Sequence, residues 1–126
     1  MKAVDIGKIG EDAAVKFLRK NGYKLVERNF RASHNEIDII VKNKESIVFV
    51  EVKTRSTDDT LYSDFGTPAS AIDRSKIKRT VDAARYYLGT TKFSKLQPRF
   101  DVIEVYLSKS EHKIISINHI YNAFGA

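Results

Sequence analysis

The sequence contains no cysteine and no tryptophan, and it has only two prolines and one methionine in 126 residues. The lack of cysteine excludes disulfide bonds and thiolate metal sites, zinc ribbons included, and it suits a reducing compartment. No stretch approaches the roughly 18 apolar residues of a membrane-spanning helix, and the N-terminal segment lacks the apolar region of a signal peptide. We therefore expect a soluble, cytoplasmic protein without a membrane partner, folded as one domain over residues 1–126.

The net charge of +6 is concentrated in one part of the chain. Between Arg74 and Arg99 there are eight basic residues and one acidic residue, so this segment carries +7 and the remainder carries −1. A localised positive surface is what contact with nucleic-acid phosphates requires. The alternative is a solvated helix flank, which charge patterning alone does not exclude.

Apolar periodicity predicts the order α-β-β-β-α-β-β and therefore an α/β fold with one mixed sheet flanked by helices. The first helix contains Ile6 and ends before Gly22, and the second runs over 73–88 with Asp73 as its N-cap. Strands are predicted over 23–30, 36–42, 46–55, 98–105 and 113–118, and a short helical turn near 121–124. Residues 56–67 lack periodicity, which predicts a mobile loop.

The third predicted strand is apolar on both faces until it acquires Glu51 and Lys53 near its end. Side chains alternate along a strand, so both charged residues share a face with Phe49. A strand covered on both faces places such charges at the rim of the sheet, where the cover ends. A solvated rim with a weak ion pair is the plain alternative to a functional site.

The position of Asp38 relative to Glu51 depends on the loop between the second and third strands. A four-residue loop over 43–46 places the two carboxylates directly opposite each other, with Cβ atoms about 5 Å apart. A two-residue loop places them diagonally on one face, and a three-residue loop separates them. Two close carboxylates repel unless a cation lies between them or one of them stays protonated. A Mg²⁺ or Mn²⁺ ion meets this need, so the first two loops are compatible with a divalent metal site. Lys53 would then polarise the attacking water or stabilise charge in the transition state.

Asp38 followed by Glu51, Val52 and Lys53 resembles the motif of the PD-(D/E)XK superfamily of metal-dependent nucleases. Almost the whole chain is similar to the YraN-like family, small bacterial proteins regarded as candidate endonucleases of this superfamily. The similarity is carried by blocks that occur in the family's order: GKIGEDAA, ERNFR, NEIDII, VFVEVKTR, GTPASAI, AARYYL, RFDVIEV and INHIYNAF. It implies a restriction-endonuclease-like mixed sheet with the active site on the hairpin of strands two and three.

The resemblance also implies roles for individual residues. Asp38 and Glu51 would be metal ligands together with the carbonyl of Val52, Lys53 would be the catalytic lysine, and Glu11 an accessory carboxylate. The implied reaction is hydrolysis of phosphodiester bonds in DNA, branched or damaged DNA included, with Mg²⁺ or Mn²⁺ as cofactor. For Glu11 the alternative is an acid that the helix macrodipole favours near an N-terminus.

Phosphate contacts are predicted for the basic residues nearest the motif: Arg55, Arg74, Lys76, Lys78 and Arg85. On a helical wheel Arg74, Lys78 and Arg85 share one border of the apolar stripe, and Lys76 lies beyond the other border. Contacts of this kind select the structure of DNA and not its sequence. Arg55 has the equal alternative of a solvated arginine at a strand end.

Two other functions fit the same residues. One is a catalytically inactive nuclease fold that binds nucleic acid, and the other is a protein-interaction domain in DNA processing whose carboxylates are structural.

The three histidines, His34, His112 and His119, are scattered and are expected in loops or at the surface. Arg99 and Asp101 are expected to form a structural ion pair. A homodimer would suit the cutting of two strands, although no heptad seam indicates one.

Overall fold

A computed structural model describes residues 4–57 and 74–124, and its elements follow the predicted order. They are α1 (Ile6–Lys20), β1 (Lys24–Ala32), β2 (Asn35–Lys42), β3 (Ser46–Thr57), α2 (Arg74–Thr90), β4 (Gln97–Ser108) and β5 (Ile114–Ile120). The α/β class is therefore confirmed. In these two ranges of the chain, neither helix has the length and apolar character needed to cross a membrane.

Helix α1 begins and ends at residues that satisfy its terminal backbone groups. The Asp5 side chain accepts a hydrogen bond from Lys8 N at 3.0 Å, which makes Asp5 the N-cap. At the other end Gly22 has φ +91°, a left-handed conformation that glycine adopts without steric cost, and Tyr23 N donates to Leu18 O at 3.1 Å. The stop predicted at Gly22 is thus the end of the helix.

The five strands form one mixed sheet in the order β1-β2-β3-β4-β5. Strand β3 pairs antiparallel with β2 and parallel with β4, and the outer pairs are antiparallel. Strand β3 lies at the centre and pairs along both edges, and its near-continuous apolar run predicts that both of its faces are covered as well.

Each face of the sheet packs on one helix. On one face Ala14 and Leu18 of α1 contact a cluster that includes Val48 and Val50, and on the other face Val81 and Tyr87 of α2 join a cluster that includes Phe49. The side chains of β3 alternate between the two clusters, as they do along any regular strand. Glu51 and Lys53 follow Phe49 in this alternation and therefore extend toward the α2 side.

The strands extend one to three residues beyond some of their predicted ends, and two predicted segments change. Strand β3 continues to Thr57, so Ser56 and Thr57 belong to the sheet, while the rest of the predicted loop over 56–67 and the predicted N-cap Asp73 lie outside the described residues. The predicted helical turn near 121–124 is wrong, because Asn122 has φ +52° and the segment forms a turn. Ala123 N donates to Phe100 O at 2.7 Å, which ties this turn to β4.

Candidate active site

The β2–β3 hairpin has the register that the four-residue loop predicts. Its ladder includes Ile40 opposite Phe49 and Ile39 opposite Val50. Continued by one more residue pair, this register would set Asp38 level with Glu51. The loop is stabilised by the Asn43 side chain, which accepts hydrogen bonds from Glu45 N at 3.0 Å and Ser46 N at 2.7 Å.

The regular backbone pairing of β2 with β3 ends at Ile39 and Val50. Beyond that point the side chain of Asp38 makes the next contact between the two strands. Asp38 Oδ2 accepts a hydrogen bond from Val52 N at 2.8 Å. The N–H and C=O of one residue in a strand point to the same edge, so the Val52 carbonyl also faces β2. Asp38 and the Val52 backbone thus meet where the two strands stop pairing.

Alternation along β2 is interrupted at Asp38. Ile39 and Val41 belong to the cluster under α1, whereas Ile37 belongs with Ile40 to the cluster under α2. Regular alternation would place residues 36, 38 and 40 on one face of β2, and this alternation does not hold at Asp38. Asp38 and Glu51 nevertheless line the same pocket of about 200 Å³, on the side of α2.

The Asp38 carboxyl group has an environment unfavourable to its charge. Burial raises the pKa of Asp38 to about 6, although the hydrogen bond from Val52 N acts in the opposite direction. The negative charges of Glu51 and Glu11 raise this pKa further, and Lys76 lowers it. Such a perturbed carboxyl group in a pocket is typical of functional sites.

Two amines contact the Glu51 carboxylate, whose side chain is only 8% exposed. Lys53 Nζ lies 3.6 Å from Glu51 Oε1, as the strand spacing predicts. Lys76 Nζ, from the first turn of α2, lies closer to the same oxygen, at 2.5 Å. Lys76 is one of the predicted phosphate contacts. The structure places its amine at the carboxylate, and the phosphate contact stays a prediction.

Arg79 is a pocket residue that the sequence prediction missed. It lines the pocket with Asp38, Glu51 and Lys76, and its Nη1 donates to Ser75 Oγ at 2.5 Å. Its position three residues after Lys76 puts both side chains on neighbouring parts of one helix face. This spacing is visible in the sequence, but only the contact of Lys76 with Glu51 shows that the face borders the pocket.

Glu11 lies in α1 and contacts β1, not the pocket of Asp38 and Glu51. Its Oε1 accepts hydrogen bonds from Arg28 Nε at 3.2 Å, Arg28 Nη2 at 3.1 Å and Asn29 Nδ2 at 3.1 Å. Asp12 joins the same cluster, because its Oδ1 accepts from Arg28 Nη2 at 2.7 Å. Glu11 is near enough to raise the pKa of Asp38, but its accessory role stays a prediction.

Arg55 is held by a buried carboxylate. Its Nε donates to Glu104 Oε2 at 2.9 Å, and the Tyr106 hydroxyl donates to the other oxygen of Glu104, whose side chain is 2% exposed. The parallel register sets Glu104 beside Lys53 and Tyr106 beside Arg55. Arg55 therefore has a fixed position two residues beyond Lys53 and is not a frayed strand end.

The other three predicted phosphate contacts lie on the far border of α2. Tyr86 stacks on Phe30 of β1 and Lys76 contacts Glu51, so this border of the helix faces the β1–β3 side. At 100° per residue, the opposite border carries the exposed residues Arg74, Lys78 and Arg85. The five predicted contacts are thus divided between the pocket region and a separate basic border.

The His119 side chain is buried, which contradicts the expected surface or loop position. It lies in β5 with its side chain 4% exposed, and its Nε2 lies 2.7 Å from Asp101 Oδ2. Asp101 also accepts from Arg99 Nε at 2.9 Å, so the expected ion pair is present. Tyr121 stacks on His119 at 4.0 Å between ring centroids. This cluster ties β4 to β5 on the α1 side, away from the pocket.

The residues around Asp38 and Glu51 fit a hydrated divalent cation. Mg²⁺ and Mn²⁺ sites commonly use one or two carboxylates and complete their octahedron with water and substrate phosphate oxygens. Among residues 4–57 and 74–124, no three His, Cys, Asp or Glu side chains cluster closely enough to form a metal cage by themselves. Two carboxylates and the Val52 carbonyl would therefore hold an ion that needs water or phosphate as well.

Comparison with known proteins gives consistent matches along the chain. The model of the Uncharacterised protein family UPF0102 matches residues 10–105. A UPF0102 protein of Caldanaerobacter subterraneus subsp. tengcongensis is 44% identical over 119 residues, covering 94% of this chain and 93% of that protein. A UPF0102 protein of Dictyoglomus thermophilum is 40% identical, covering 98% of this chain and all of that protein. One of Clostridioides difficile is 42% identical, with 94% and 95% covered.

Proposed function

This chain belongs to the UPF0102 family, the YraN family that its motifs indicate, and we propose that it is a metal-dependent endonuclease that hydrolyses phosphodiester bonds in DNA. One observation carries the proposal. Asp38 and Glu51 come from adjacent strands and line one pocket, with the amines of Lys53 and Lys76 at Glu51. Membership of the family supports the assignment of the motif residues. The proposed hydrolysis rests on the arrangement of Asp38, Glu51, Lys53 and Lys76.

The proposed cofactor is Mg²⁺ or Mn²⁺, held by Asp38, Glu51 and the carbonyl of Val52. When bound, the ion would lower the pKa of a water molecule and stabilise charge on the phosphate. Because burial disfavours the charge of Asp38, this carboxylate gains from a cation beside it. Lys53, 3.6 Å from Glu51, would orient the attacking water or donate to a phosphate oxygen.

The remaining basic residues would position the DNA. Arg55, fixed by Glu104, and Arg79, at the pocket, would contact phosphates next to the scissile bond. Arg74, Lys78 and Arg85 would contact the backbone farther away. None of these contacts reads a base, so the proposed substrate is selected by its structure, as branched or damaged DNA would be. A cytoplasmic location and a homodimer that cuts two strands are part of this proposal.

A cleavage assay tests the proposal. Nicked, flapped and four-way DNA would be incubated with the protein, with Mn²⁺ or with EDTA, beside Asp38→Ala and Lys53→Ala. We expect cutting that requires Mn²⁺ and is lost by at least 100-fold in both variants, a loss of the order seen when one general acid–base group is removed. Asp82→Ala on the exposed surface of α2 and Lys44→Ala in the hairpin loop are matched controls that should cut normally.

A second function is favoured by one specific contact. The amines of Lys53 and Lys76 already compensate the charge of Glu51, which is what an inactive fold that only binds nucleic acid would show. DNA binding that survives both substitutions, without metal-dependent cutting of any substrate, would establish this binding module. Failure to bind DNA even at low salt, where electrostatic affinity is strongest, would instead indicate a protein-interaction domain.

A further inference from the structure

The amine nearest to Glu51 is not the one that the motif names. Lys76 Nζ lies 2.5 Å from Glu51 Oε1, whereas Lys53 Nζ lies 3.6 Å from the same atom. Lys76 also lowers the pKa of Asp38. Its positive charge therefore acts on both carboxylates of the pocket, although it belongs to a helix and not to the strands that carry them.

The ammonium group of Lys76 lies where a metal ion bound to Glu51 Oε1 would lie. A carboxylate oxygen that is 2.5 Å from an ammonium nitrogen has no room for a divalent ion on the same side, because both would lie within a few ångströms and repel each other. A metal that binds Asp38 and the Oε1 oxygen of Glu51 from this side thus requires the ammonium group to move away. The Lys76 side chain is 37% exposed and has four rotatable bonds, so it can turn toward the solvent side of the pocket.

We propose that Lys76 is a positioning residue that holds Glu51 in the metal-free protein and is displaced from it when a divalent cation binds. The inference rests on the proposed metal site. Without the metal, Lys76 compensates two carboxylates that would otherwise repel each other at close range. With the metal bound, its ammonium group remains at the pocket on the first turn of α2, next to Arg79, where it would contact a DNA phosphate.

Manganese affinity separates this role from simple structural support. Mn²⁺ would be titrated into the wild-type protein, Lys76→Met and Lys76→Gln, with free Mn²⁺ measured by its electron paramagnetic resonance signal. Removal of the competing ammonium group should tighten Mn²⁺ binding about tenfold in both variants, which corresponds to about 1.4 kcal/mol. Lys78→Met is the matched control, since Lys78 lies on the same helix but on the opposite border, and it should change the affinity less than twofold. Unchanged or weaker binding by both Lys76 variants would overturn the inference.

Lysine labelling provides a second readout in the unaltered chain. In EDTA, acetylation of Lys76 by a soluble amine reagent should be slower than that of Lys78, because the contact with Glu51 protects it. Saturating Mn²⁺ should raise the Lys76 rate several-fold and leave the Lys78 rate unchanged, as measured by mass spectrometry. Equal Lys76 rates with and without bound Mn²⁺ contradict displacement.

The two proposals can fail separately. If Mn²⁺ binds and displaces Lys76 but no DNA is cut, the displacement of Lys76 by the metal is confirmed and the nuclease function is wrong. If DNA is cut with Mn²⁺ while the Lys76 variants bind the metal no more tightly than the wild type, the nuclease function is confirmed and the displacement of Lys76 is wrong. Absence of Mn²⁺ binding in every form would overturn both.

Discussion

The Asp38 carboxylate accepts a hydrogen bond from the backbone N–H of Val52 at 2.8 Å, and so continues the contact between β2 and β3 after their ladder has ended. The same carboxyl group has its pKa raised to about 6, chiefly by burial. The Asp38 carboxyl group thus connects two strands, although burial destabilises its charged form. This combination has a measurable consequence for stability.

Asp38→Asn should stabilise the metal-free protein at pH 7.5. A carboxyl group whose pKa is about 6 in the folded state and 3.8 in the unfolded state binds its proton more tightly when folded, so its ionisation lowers the free energy of unfolding as the pH rises through this range. Asparagine retains an oxygen that accepts from Val52 N and carries no charge. The expected gain is up to roughly 3 kcal/mol, from 1.36 kcal/mol per pKa unit.

Urea unfolding in EDTA at several pH values measures this effect. The gain should be largest above pH 6 and should vanish only well below pH 3.8, where Asp38 is protonated in both states. Asp38→Ala, which removes the acceptor as well, provides the comparison and should be less stable than Asp38→Asn. A destabilised Asp38→Asn protein at pH 7.5 would show that the carboxylate is a structural charge.

Asp101→Asn should destabilise the fold by about 3 kcal/mol or more at neutral pH, since breaking a buried ion pair leaves its partner uncompensated. Burial alone would raise the pKa of Asp101, but hydrogen bonds from His119, Arg99 and Asn122 N outweigh it and lower the pKa below 3.8. A lowered pKa in the folded state stabilises the protein above the ordinary carboxyl range, and this contribution is lost as the pH falls through the lowered value.

Thermal unfolding of Asp101→Asn and of the wild type between pH 7 and pH 2 tests whether the charge of Asp101 stabilises the fold. The difference between them should narrow below pH 3.8 as the wild type loses the charge of Asp101. Glu111→Gln is the matched control, because Glu111 forms an exposed ion pair with Lys113 at 3.0 Å, and it should change stability by less than about 0.5 kcal/mol. A difference that widens in acid would contradict the assignment.

Gly10→Ala should force α1 away from β3. A Cβ atom at Gly10 would lie 1.9 Å from Thr54 Oγ1 and 2.8 Å from Thr54 Cβ, so the backbone of the helix or the strand has to shift. Overpacking of this kind costs about 1–3 kcal/mol. Gly7→Ala is the control on the same helix, because its Cβ would meet only Asp5 Oδ1 at 3.4 Å, and helix propensity favours it by roughly 0.5–1 kcal/mol. Equal denaturation midpoints for the two variants would disprove the close approach.

Removal of Arg74, Lys78 and Arg85 by alanine substitution should reduce the salt dependence of DNA binding. Each lost phosphate contact lowers the slope of log affinity against log salt by about 1, and the loss should be similar for different DNA sequences. Fluorescence anisotropy between 50 and 200 mM salt, the range over which such slopes are commonly resolved, measures it, with Lys44→Ala as the control outside this border. A slope equal to the wild-type value would place the DNA path elsewhere, on the border of Lys76 and Arg79.

Local patterns were sufficient for the elements and for the register. The apolar run of β3, Gly22 at the end of α1 and the hairpin loop act over a few residues. Periodicity and loop length therefore predict the strands and the register of the β2–β3 hairpin. Lys53 follows Glu51 by two residues and reaches it because side chains alternate. For these features the determining interactions are close in the sequence.

Tertiary packing decided the rest. The docking of α2 on the sheet brings Lys76 to Glu51 from 25 positions along the chain, and the parallel pairing of β3 with β4 sets Arg55 on Glu104. Likewise the closure of β5 buries His119 against Asp101. No periodicity encodes such contacts, since they depend on how elements distant in the sequence pack together. The sequence by itself determined which groups carry charge and on which strand they lie, and the packed fold decided which of them meet.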